Sequence, residues 1–163
     1  MKKLLLSTLI FLATAPLANA AQEGQPTPQC PSALTGNAEK LDLNAYKGKV
    51  ILIDFWATWC PPCKKSMPFF NSLRNEHVKN GFEIIAINVD ENSEEAKQFL
   101  VSNAVDYVTA FDPKGDCPAK FDVQAMPSTY LVDKTGKIRK IHLGFRDEDK
   151  DMISAQVSAL LAE

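Results

Sequence analysis

The chain has 163 residues, a formal net charge of −2, 45% hydrophobic residues and 23% charged residues. This length allows one domain with a substantial core and is short for two, and the ordinary composition argues against a disordered chain. Lys2 and Lys3 lie in a predicted signal peptide, described below. Without them the chain has 16 basic residues (18 minus 2) and 20 acidic residues. A weakly acidic balance is not typical of proteins that bind nucleic acid or a membrane surface.

Residues 1–20 have the pattern of a signal peptide. Two lysines precede an apolar run from Leu4 to Ala15, and Ala18-Asn19-Ala20 has the small-x-small pattern of a signal-peptidase site. The run is shorter than the about 20 apolar residues of a membrane-spanning helix; an uncleaved N-terminal anchor is the alternative. We expect a mature chain that starts near Ala21 in the periplasm or another extracytoplasmic compartment, where disulfides persist.

After the predicted signal peptide, residues 21–31 are polar and contain prolines, which predicts a flexible segment that we call the leader. Residues 32–163 are predicted to form the domain. Strand-like and helix-like stretches alternate along the domain and predict an α/β fold with a central mixed sheet flanked by helices. The predicted strands are 49–56, 82–89, 105–111, 128–132 and 137–143. The predicted helices are 61–80, 93–103 and 116–121, followed by a C-terminal helix. In that last helix, Ile153, Val157 and Leu161 are predicted to lie on one face, with Leu160 beside them.

Cys60-Pro61-Pro62-Cys63 follows a nearly continuous apolar run, Lys49 to Trp56, which is typical of a strand buried on both faces. Proline is tolerated in the first turn of a helix, so the motif is predicted to begin one. At a helix N-terminus, free N–H groups and the macrodipole favour a thiolate at Cys60, and Cys63 lies one turn further on the same face. We predict that Cys60 attacks a disulfide and that Cys63 resolves the product.

Two other uses of this cysteine pair are less consistent with the sequence. A structural staple would contribute little, because closing so short a loop removes little entropy from the unfolded chain. A structural zinc ion takes four ligands, and the other candidates, Cys30, Cys117, His77 and His142, show no paired spacing. We therefore interpret the pair as redox-active and predict no metal site.

Asp54 interrupts the apolar strand and is predicted to lie on the same face as Trp56, beneath the start of the helix. A buried carboxyl is costly unless it has partners or a function. Burial raises the pKa of a carboxyl group, so Asp54 is predicted to accept the proton of Cys63 during exchange. The alternative is a structural ion pair with a lysine that reaches solvent.

Met126-Pro127 precedes the predicted strand at 128–132. A proline at this place is ordinary for the start of a strand. The functional alternative is a cis-proline loop that packs against the cysteine pair and offers main-chain groups to an extended substrate.

Together these motifs resemble the thioredoxin superfamily, and more closely its TlpA/ResA-like branch of bacterial extracytoplasmic thiol–disulfide oxidoreductases. The similarity covers nearly all of the chain after Ser32, and Pro68 occupies the place of the kink proline in the helix after the cysteines. The stretches that carry it are FWATWCPPC (active-site pattern), IIAINVDENSEEAKQFL (central strand and insertion), AMPSTYLVDKTGKI (cis-proline hairpin) and LNAYKGKV (lead-in turn).

The resemblance implies a thioredoxin-like fold and an enzyme without a bound cofactor, a protein-disulfide reductase. It implies that Cys60 attacks, that Cys63 resolves and that Pro127 is the cis-proline. The implied substrate-binding residues are Trp59, Pro61, Pro62, Met126 and Pro127. The expected partners are protein disulfides and a membrane electron-delivery protein similar to the DsbD/CcdA group, and we expect a monomer that binds no nucleic acid.

Three residues indicate which members of the thioredoxin superfamily the chain resembles most. Asp54 matches the buried acid of thioredoxins, although this branch often carries asparagine there. The lysine that partners this acid in many thioredoxins falls at Ala86, so that ion pair is expected to be absent. Cytochrome-maturation members commonly carry a glutamate three residues after the second cysteine, where this chain has Ser66. Ser66 therefore favours a general reductase, while the direction of electron flow is not given by sequence.

Cys30 and Cys117 form the remaining pair. In an oxidising compartment an even number of cysteines favours a second, structural disulfide, which the chain-entropy model makes worth about 4–5 kcal/mol for a loop of this length. The alternatives are an unpaired thiol at either position, or a relay that exchanges with Cys60.

Two other classes of function are alternatives to a disulfide reductase. A non-enzymatic Cu(I) carrier would use the two thiols as soft ligands, with Met126 as the obvious further candidate. A peroxiredoxin-like peroxidase is disfavoured because the pair starts a helix and no separate peroxidatic cysteine context is present.

Overall fold

The structure is a computed structural model that describes residues 21–31, 34–36 and 40–163. The predicted signal peptide, residues 1–20, lies outside the described residues. Within them, no helix is both long enough and apolar enough to cross a membrane.

Strands and helices alternate along the described chain in the order that the sequence predicts. The strands are β1 (Thr35–Gly36), β2 (Val50–Trp56), β3 (Phe82–Asn88), β4 (Val108–Phe111), β5 (Ser128–Val132) and β6 (Ile138–Leu143). The α-helices are α1 (Pro61–His77), α2 (Ser93–Ser102), α3 (Asp116–Phe121) and α4 (Asp149–Ala162), and short 3₁₀ helices span Leu43–Tyr46 and Val78–Asn80.

These strands form one mixed sheet in the order β1-β4-β3-β2-β5-β6. β2 runs parallel to β3, and β3 runs parallel to β4, whereas β5 is antiparallel to both β2 and β6. Phe55 lies opposite Ser128, so the end of β2 and the start of β5 meet at one edge of the sheet, which we call the carboxyl edge. The predicted α/β fold with a mixed central sheet and flanking helices is confirmed.

The core has two layers because the side chains of β2 alternate between two covered faces. On the face that we call the α1 face, Leu52 and Trp56 pack with residues of α1, α2 and α4. On the opposite face, called the α3 face, Ile53 and Phe55 pack with Phe121 of α3 and with β5 and β6. Every residue of β2 is buried, which explains the continuous apolar run in the sequence.

Helix α1 begins and ends where the sequence provides caps. Cys60 is its N-cap, and prolines occupy its first positions, where a missing N–H costs nothing. Pro68 lies inside the helix, as expected for a kink proline. The α-helix ends at His77 and passes into the short 3₁₀ helix, which Gly81 closes with a φ of +90°, a conformation that glycine adopts readily.

Residues 21–31, which the sequence predicts to be a flexible leader, lie along the outer edge of β6. Gly24 N–H donates to the Ile138 carbonyl (2.7 Å), and Ile138 N–H donates to the Gln25 carbonyl (2.9 Å). Pro26 also forms a bridge with Lys137. The outer edge of β6 presents unpaired main-chain groups, and the leader satisfies several of them, so a polar, proline-containing segment becomes part of the fold.

Two finer predictions also differ from the structure. In α4, Leu160 is buried with Ile153 and Val157, whereas Leu161 is only half-buried, because the spacing 153, 157 and 160 follows one helical face. The edge strand β1 was not predicted, since it has only two residues and pairs with β4 far along the chain.

Candidate active site

The cysteine pair lies at the carboxyl edge, where β2 ends and α1 begins. Cys60 and Cys63 are joined as a disulfide with their Cα atoms 5.3 Å apart. The Cys63 N–H donates to Cys60 Sγ at 3.2 Å, so the sulfur of the first cysteine occupies the N-cap position that an anion prefers. Cys63 is fully buried, and Cys60 is 3% exposed. The predicted helix-start placement of both cysteines is what the structure shows.

The rim around this pair contains the residues expected to bind substrate. Trp59 is 66% exposed, and Pro61 and Pro62 are also exposed. Facing them across the carboxyl edge, the Met126–Pro127 peptide bond is cis, with Pro127 buried and Met126 half-buried. The five residues therefore belong to one edge of the sheet, although their contact with a substrate stays a prediction.

The cis-proline loop is fixed by its own hydrogen bonds. Gly144 N–H donates to the Pro127 carbonyl at 2.7 Å, and Ser128 Oγ donates to the Ala125 carbonyl at 2.7 Å. These bonds connect the loop to the end of β6 and to the residues before it. The loop is thus held by main-chain groups on both sides.

Asp54 lies in β2 on the α1 face and is 1% exposed. Its carboxylate accepts one hydrogen bond, from the Thr129 hydroxyl at 3.0 Å, and Ala86 is its neighbour on β3. Burial raises the pKa of Asp54 to about 8, against the lowering effect of the Thr129 hydrogen bond. Among the described residues, no ion pair that involves Asp54 is found. The alternative of an ion pair with a solvent-reaching lysine is therefore not what the structure shows.

Ser66 occupies the position at which cytochrome-maturation relatives carry a glutamate. Its hydroxyl is fully buried and donates to the Cys63 carbonyl at 2.9 Å. The side chain therefore serves the first turn of α1 and places no charge beside the cysteine pair.

A buried network that holds the loop before Cys60 was missed from the sequence. Asp90 is 3% exposed and accepts from the Thr58 N–H (3.0 Å), the Thr58 hydroxyl (3.1 Å) and the Asn88 amide (2.7 Å). Thr58 stands two residues before Cys60, so the carboxylate fixes the loop from β2 into α1. The only sequence signal was an acid directly after the second buried strand.

The second cysteine pair is joined on the other face of the sheet. Cys30 and Cys117 form a disulfide across 87 residues of sequence, with Cys117 buried in the α3-face core and Cys30 packed against it. The Cys117 N–H donates to the buried Asp112 carboxylate at 2.7 Å. Since Cys60 and Cys63 belong to the α1 face, the sheet separates the two disulfides, which argues against a relay between them.

Neither cysteine pair lies in a cluster typical of metal sites. Among the residues that the structure describes, no group of three or more His, Cys, Asp or Glu side chains is arranged to hold a metal ion. A cysteine pair at the start of a helix can undergo dithiol–disulfide exchange.

Comparison with known sequences gives consistent matches. The Redoxin family model matches residues 22–157. The chain is 36% identical over 100 residues to thiol-disulfide oxidoreductase ResA of Bacillus thuringiensis subsp. konkukian, covering 61% of this chain and 58% of that protein. It is 32% identical over 112 residues to ResA of Bacillus subtilis, covering 69% of this chain and 63% of that protein. The chain thus spans about three fifths of the length of these relatives.

Solved structures show the same similarity over more of the chain. A crystal structure from Chlorobium tepidum, of a candidate thiol:disulfide interchange protein DsbE, superposes with a TM-score of 0.84 at 35% identity and covers 87% of this chain and 99% of that one. A solution structure from Bacteroides thetaiotaomicron, of a candidate protein disulfide isomerase, gives a TM-score of 0.78 at 30% identity, with 88% and 92% covered.

Proposed function

The chain belongs to the Redoxin family, and from this premise we propose that it is an extracytoplasmic thiol–disulfide oxidoreductase that reduces protein disulfides through Cys60 and Cys63. The resemblance to the thioredoxin superfamily and its ResA-like branch is confirmed by the named relatives. The observation that carries the proposal is the placement of Cys60 at the N-cap of α1, with its partner cysteine one turn away.

The first step uses the reduced form of the chain. The Cys60 thiolate attacks one sulfur of a substrate disulfide, the substrate S–S bond breaks, and the leaving sulfur takes a proton from solvent. The product is a mixed disulfide between Cys60 and the substrate. The helix N-terminus favours the thiolate of Cys60, since the Cys63 N–H donates to its sulfur and the helix dipole favours an anion there.

The second step releases the substrate. Cys63 gives its thiol proton to the Asp54 carboxylate, and its thiolate then attacks Cys60 Sγ. The mixed disulfide breaks, the second substrate sulfur leaves as a thiolate, and the chain holds the Cys60–Cys63 disulfide. Two electrons have passed from the dithiol to the substrate. A carboxyl with a pKa of about 8 lies close to an ordinary thiol pKa of about 8.5, so the proton moves between them at little cost in free energy.

The substrate chain is proposed to lie across the carboxyl edge. Trp59, Pro61 and Pro62 offer exposed apolar surface on the α1 side, and Met126 and Pro127 face them from β5. An extended segment can pair with main-chain groups of the cis-proline loop while its disulfide approaches Cys60. This arrangement accepts many sequences, which suits a general reductase.

The proposed compartment and electron source rest on the predicted signal peptide. A signal peptide at residues 1–20 takes the chain to the periplasm or another extracytoplasmic space, with an N-terminal anchor as the alternative. Such a compartment is oxidising, so a membrane electron-delivery protein similar to the DsbD/CcdA group is proposed to return the chain to its dithiol form. Cys30–Cys117 is proposed as a structural disulfide that takes no part in this cycle.

Insulin reduction tests the proposal. The mature chain with dithiothreitol is expected to accelerate the precipitation of the insulin B chain, and Cys60→Ser is expected to lose the acceleration entirely. The matched control is the double variant Cys30→Ser/Cys117→Ser, which removes the other pair and should retain turnover. If the wild-type chain does not accelerate insulin precipitation, the proposed function is contradicted. Equilibration of the chain with glutathione gives its reduction potential, which decides whether it reduces or oxidises its substrates.

A further inference from the structure

A row of polar side chains crosses the sheet from Asp54 to its outer edge. On β5, Thr129 lies directly opposite Asp54, and on β6, His142 lies directly opposite Thr129. Directly opposed residues of antiparallel strands project from the same face, so all three side chains lie on the α1 face. On the other side of Asp54 the neighbour is Ala86, and the polar row therefore runs in one direction only.

Contacts connect the two ends of this row to their surroundings. The Thr129 hydroxyl donates to Asp54 Oδ1 at 3.0 Å, and His142 Nε2 lies 2.8 Å from Gln156 Oε1 of α4. An amide oxygen accepts hydrogen bonds and does not donate them. The hydrogen of the neutral imidazole is therefore assigned to Nε2, which leaves Nδ1 as a basic nitrogen.

Exposure increases along the row. Asp54 is 1% exposed and Thr129 is 2% exposed, whereas His142 and Gln156 are half-buried. A carboxyl that takes a proton from a buried thiol needs a way to return that proton to solvent. The row leads from the buried carboxyl to the first partly exposed titratable group on this face.

The other titratable groups near Asp54 do not offer such an exit. In the α1-face core, Cys60 and Cys63 exchange electrons in the proposed reaction, and Tyr107, which precedes β4, lies close enough for the Asp54 charge to act on its hydroxyl. Tyr107 is 1% exposed, and burial together with the Asp54 charge raises the pKa of its hydroxyl. A group this deeply buried has no contact with solvent to which a proton could pass.

We propose that Thr129 and His142 form a proton path that links Asp54 to solvent beside α4. The proposal rests on the proposed function, in which Asp54 takes the proton of Cys63. When Asp54 is protonated, the Thr129 hydroxyl turns to accept from the carboxyl and to donate to His142 Nδ1. The carboxyl proton then passes to Thr129 Oγ1 while the hydroxyl proton passes to His142 Nδ1. The imidazolium then releases one proton to water, and Asp54 is left as a carboxylate. No electrons move in these steps, and Thr129 and His142 act as positioning and transfer residues behind the reacting sulfurs.

The test measures the resolution step in a single turnover at low buffer concentration. The mixed disulfide is formed with a peptide thiol, and its decay is followed by the fluorescence of the nearby tryptophans. We expect Thr129→Val and His142→Ala to slow the decay several-fold, and Thr129→Ser, which keeps the hydroxyl, to restore it. Added imidazole is expected to rescue His142→Ala because it replaces the missing base, and not to rescue Thr129→Val. Tyr107→Phe is the matched control and should decay at the wild-type rate.

A second readout separates transfer from a purely structural role. The carboxyl absorption of Asp54 in the infrared gives its pKa in each variant. Thr129→Val should raise the pKa of Asp54, since the hydrogen bond from Thr129 lowers it, whereas His142→Ala should leave that pKa unchanged while slowing the decay. Wild-type decay in both slow variants at low buffer, or slow decay of His142→Ala without imidazole rescue, overturns the path. If the wild-type chain forms no mixed disulfide, the proposed function itself has failed.

Discussion

The two cysteine pairs of this chain differ in almost every property that decides what a disulfide does. Cys60 and Cys63 are three residues apart at the start of a helix, beside the exposed Trp59. Cys30 and Cys117 are 87 residues apart and lie on the opposite face of the sheet, where they join the leader to α3. Position along the chain and position in the fold both separate the pairs.

The comparison indicates that the sequence separation of two cysteines and the charge around them decide whether their disulfide is structural or redox-active. In the chain-entropy model, a loop of 87 residues contributes about 4.6 kcal/mol to stability and a loop of three residues about 1.6 kcal/mol. The short pair thus loses little when it opens, and the helix N-terminus favours the thiolate that it forms. The long pair is expected to stabilise the fold, and neither of its cysteines is the N-cap of a helix.

The largest expected effect concerns stability. Cys30→Ser/Cys117→Ser is expected to lower the free energy of unfolding by about 4–5 kcal/mol, because the long loop regains its entropy in the unfolded chain. Cys60→Ser/Cys63→Ser should lower it by no more than about 2 kcal/mol. Urea unfolding of both variants under oxidising conditions gives the two values. Equal losses, or a larger loss for the short pair, would contradict the assigned roles.

The next effect concerns Asp54, the proposed proton acceptor of the short pair. The folded chain holds the Asp54 proton up to about pH 8, whereas the unfolded chain releases it near pH 4. Between these values the folded state binds more protons, so this group lowers the free energy of unfolding by roughly 1 kcal/mol for each pH unit of increase.

Asp54→Asn isolates this contribution. Urea unfolding of the oxidised variant and of the wild-type chain at about pH 5, 6 and 7 should give curves that diverge with rising pH, the variant becoming the more stable. The variant should also resolve mixed disulfides more slowly. Parallel stability curves would show that burial does not raise the pKa of Asp54, and its carboxylate would then be too weak a base to take the proton of a thiol.

The smallest expected effect concerns the loop that leads into the short pair. Thr58→Val removes the hydroxyl that donates to the buried Asp90 carboxylate and should lower the free energy of unfolding by about 1–2 kcal/mol. Iodoacetamide should also alkylate Cys60 more slowly near neutral pH, because a loosened loop positions the N-cap less well. Thr58→Ser keeps the hydroxyl and is the matched control. An unchanged alkylation rate in Thr58→Val would limit Asp90 to a structural role.

Much of the fold could be predicted because the decisive signals are local. The apolar run at 49–56 predicts a doubly buried strand, Cys60 and the prolines after it predict a helix start, and the glycine at the Asp133–Gly136 turn predicts the hairpin of β5 and β6. The acid at Asp54 could be placed on the α1 face from strand alternation alone. Each of these inferences needs only neighbours along the chain.

The features that escaped prediction depend on contacts between distant segments. Asp90 meets Thr58 only because β2 and β3 pair in a parallel register that brings their ends together. Thr129 meets Asp54 through the antiparallel register of β2 and β5. The leader lies along β6 because that strand has an open edge. A register or an open edge is a property of the assembled sheet and leaves no local signal.

The central claim is that Cys60 is the sulfur that exchanges with substrates, and a trapping experiment tests it most directly. In Cys63→Ala the resolving thiol is missing, so a mixed disulfide should accumulate with a peptide disulfide or with natural substrates. Mass mapping of the trapped species is expected to find the adduct on Cys60 alone, with Cys30 and Cys117 still joined to each other. An adduct on Cys30 or Cys117, or no adduct on Cys60, would contradict the account.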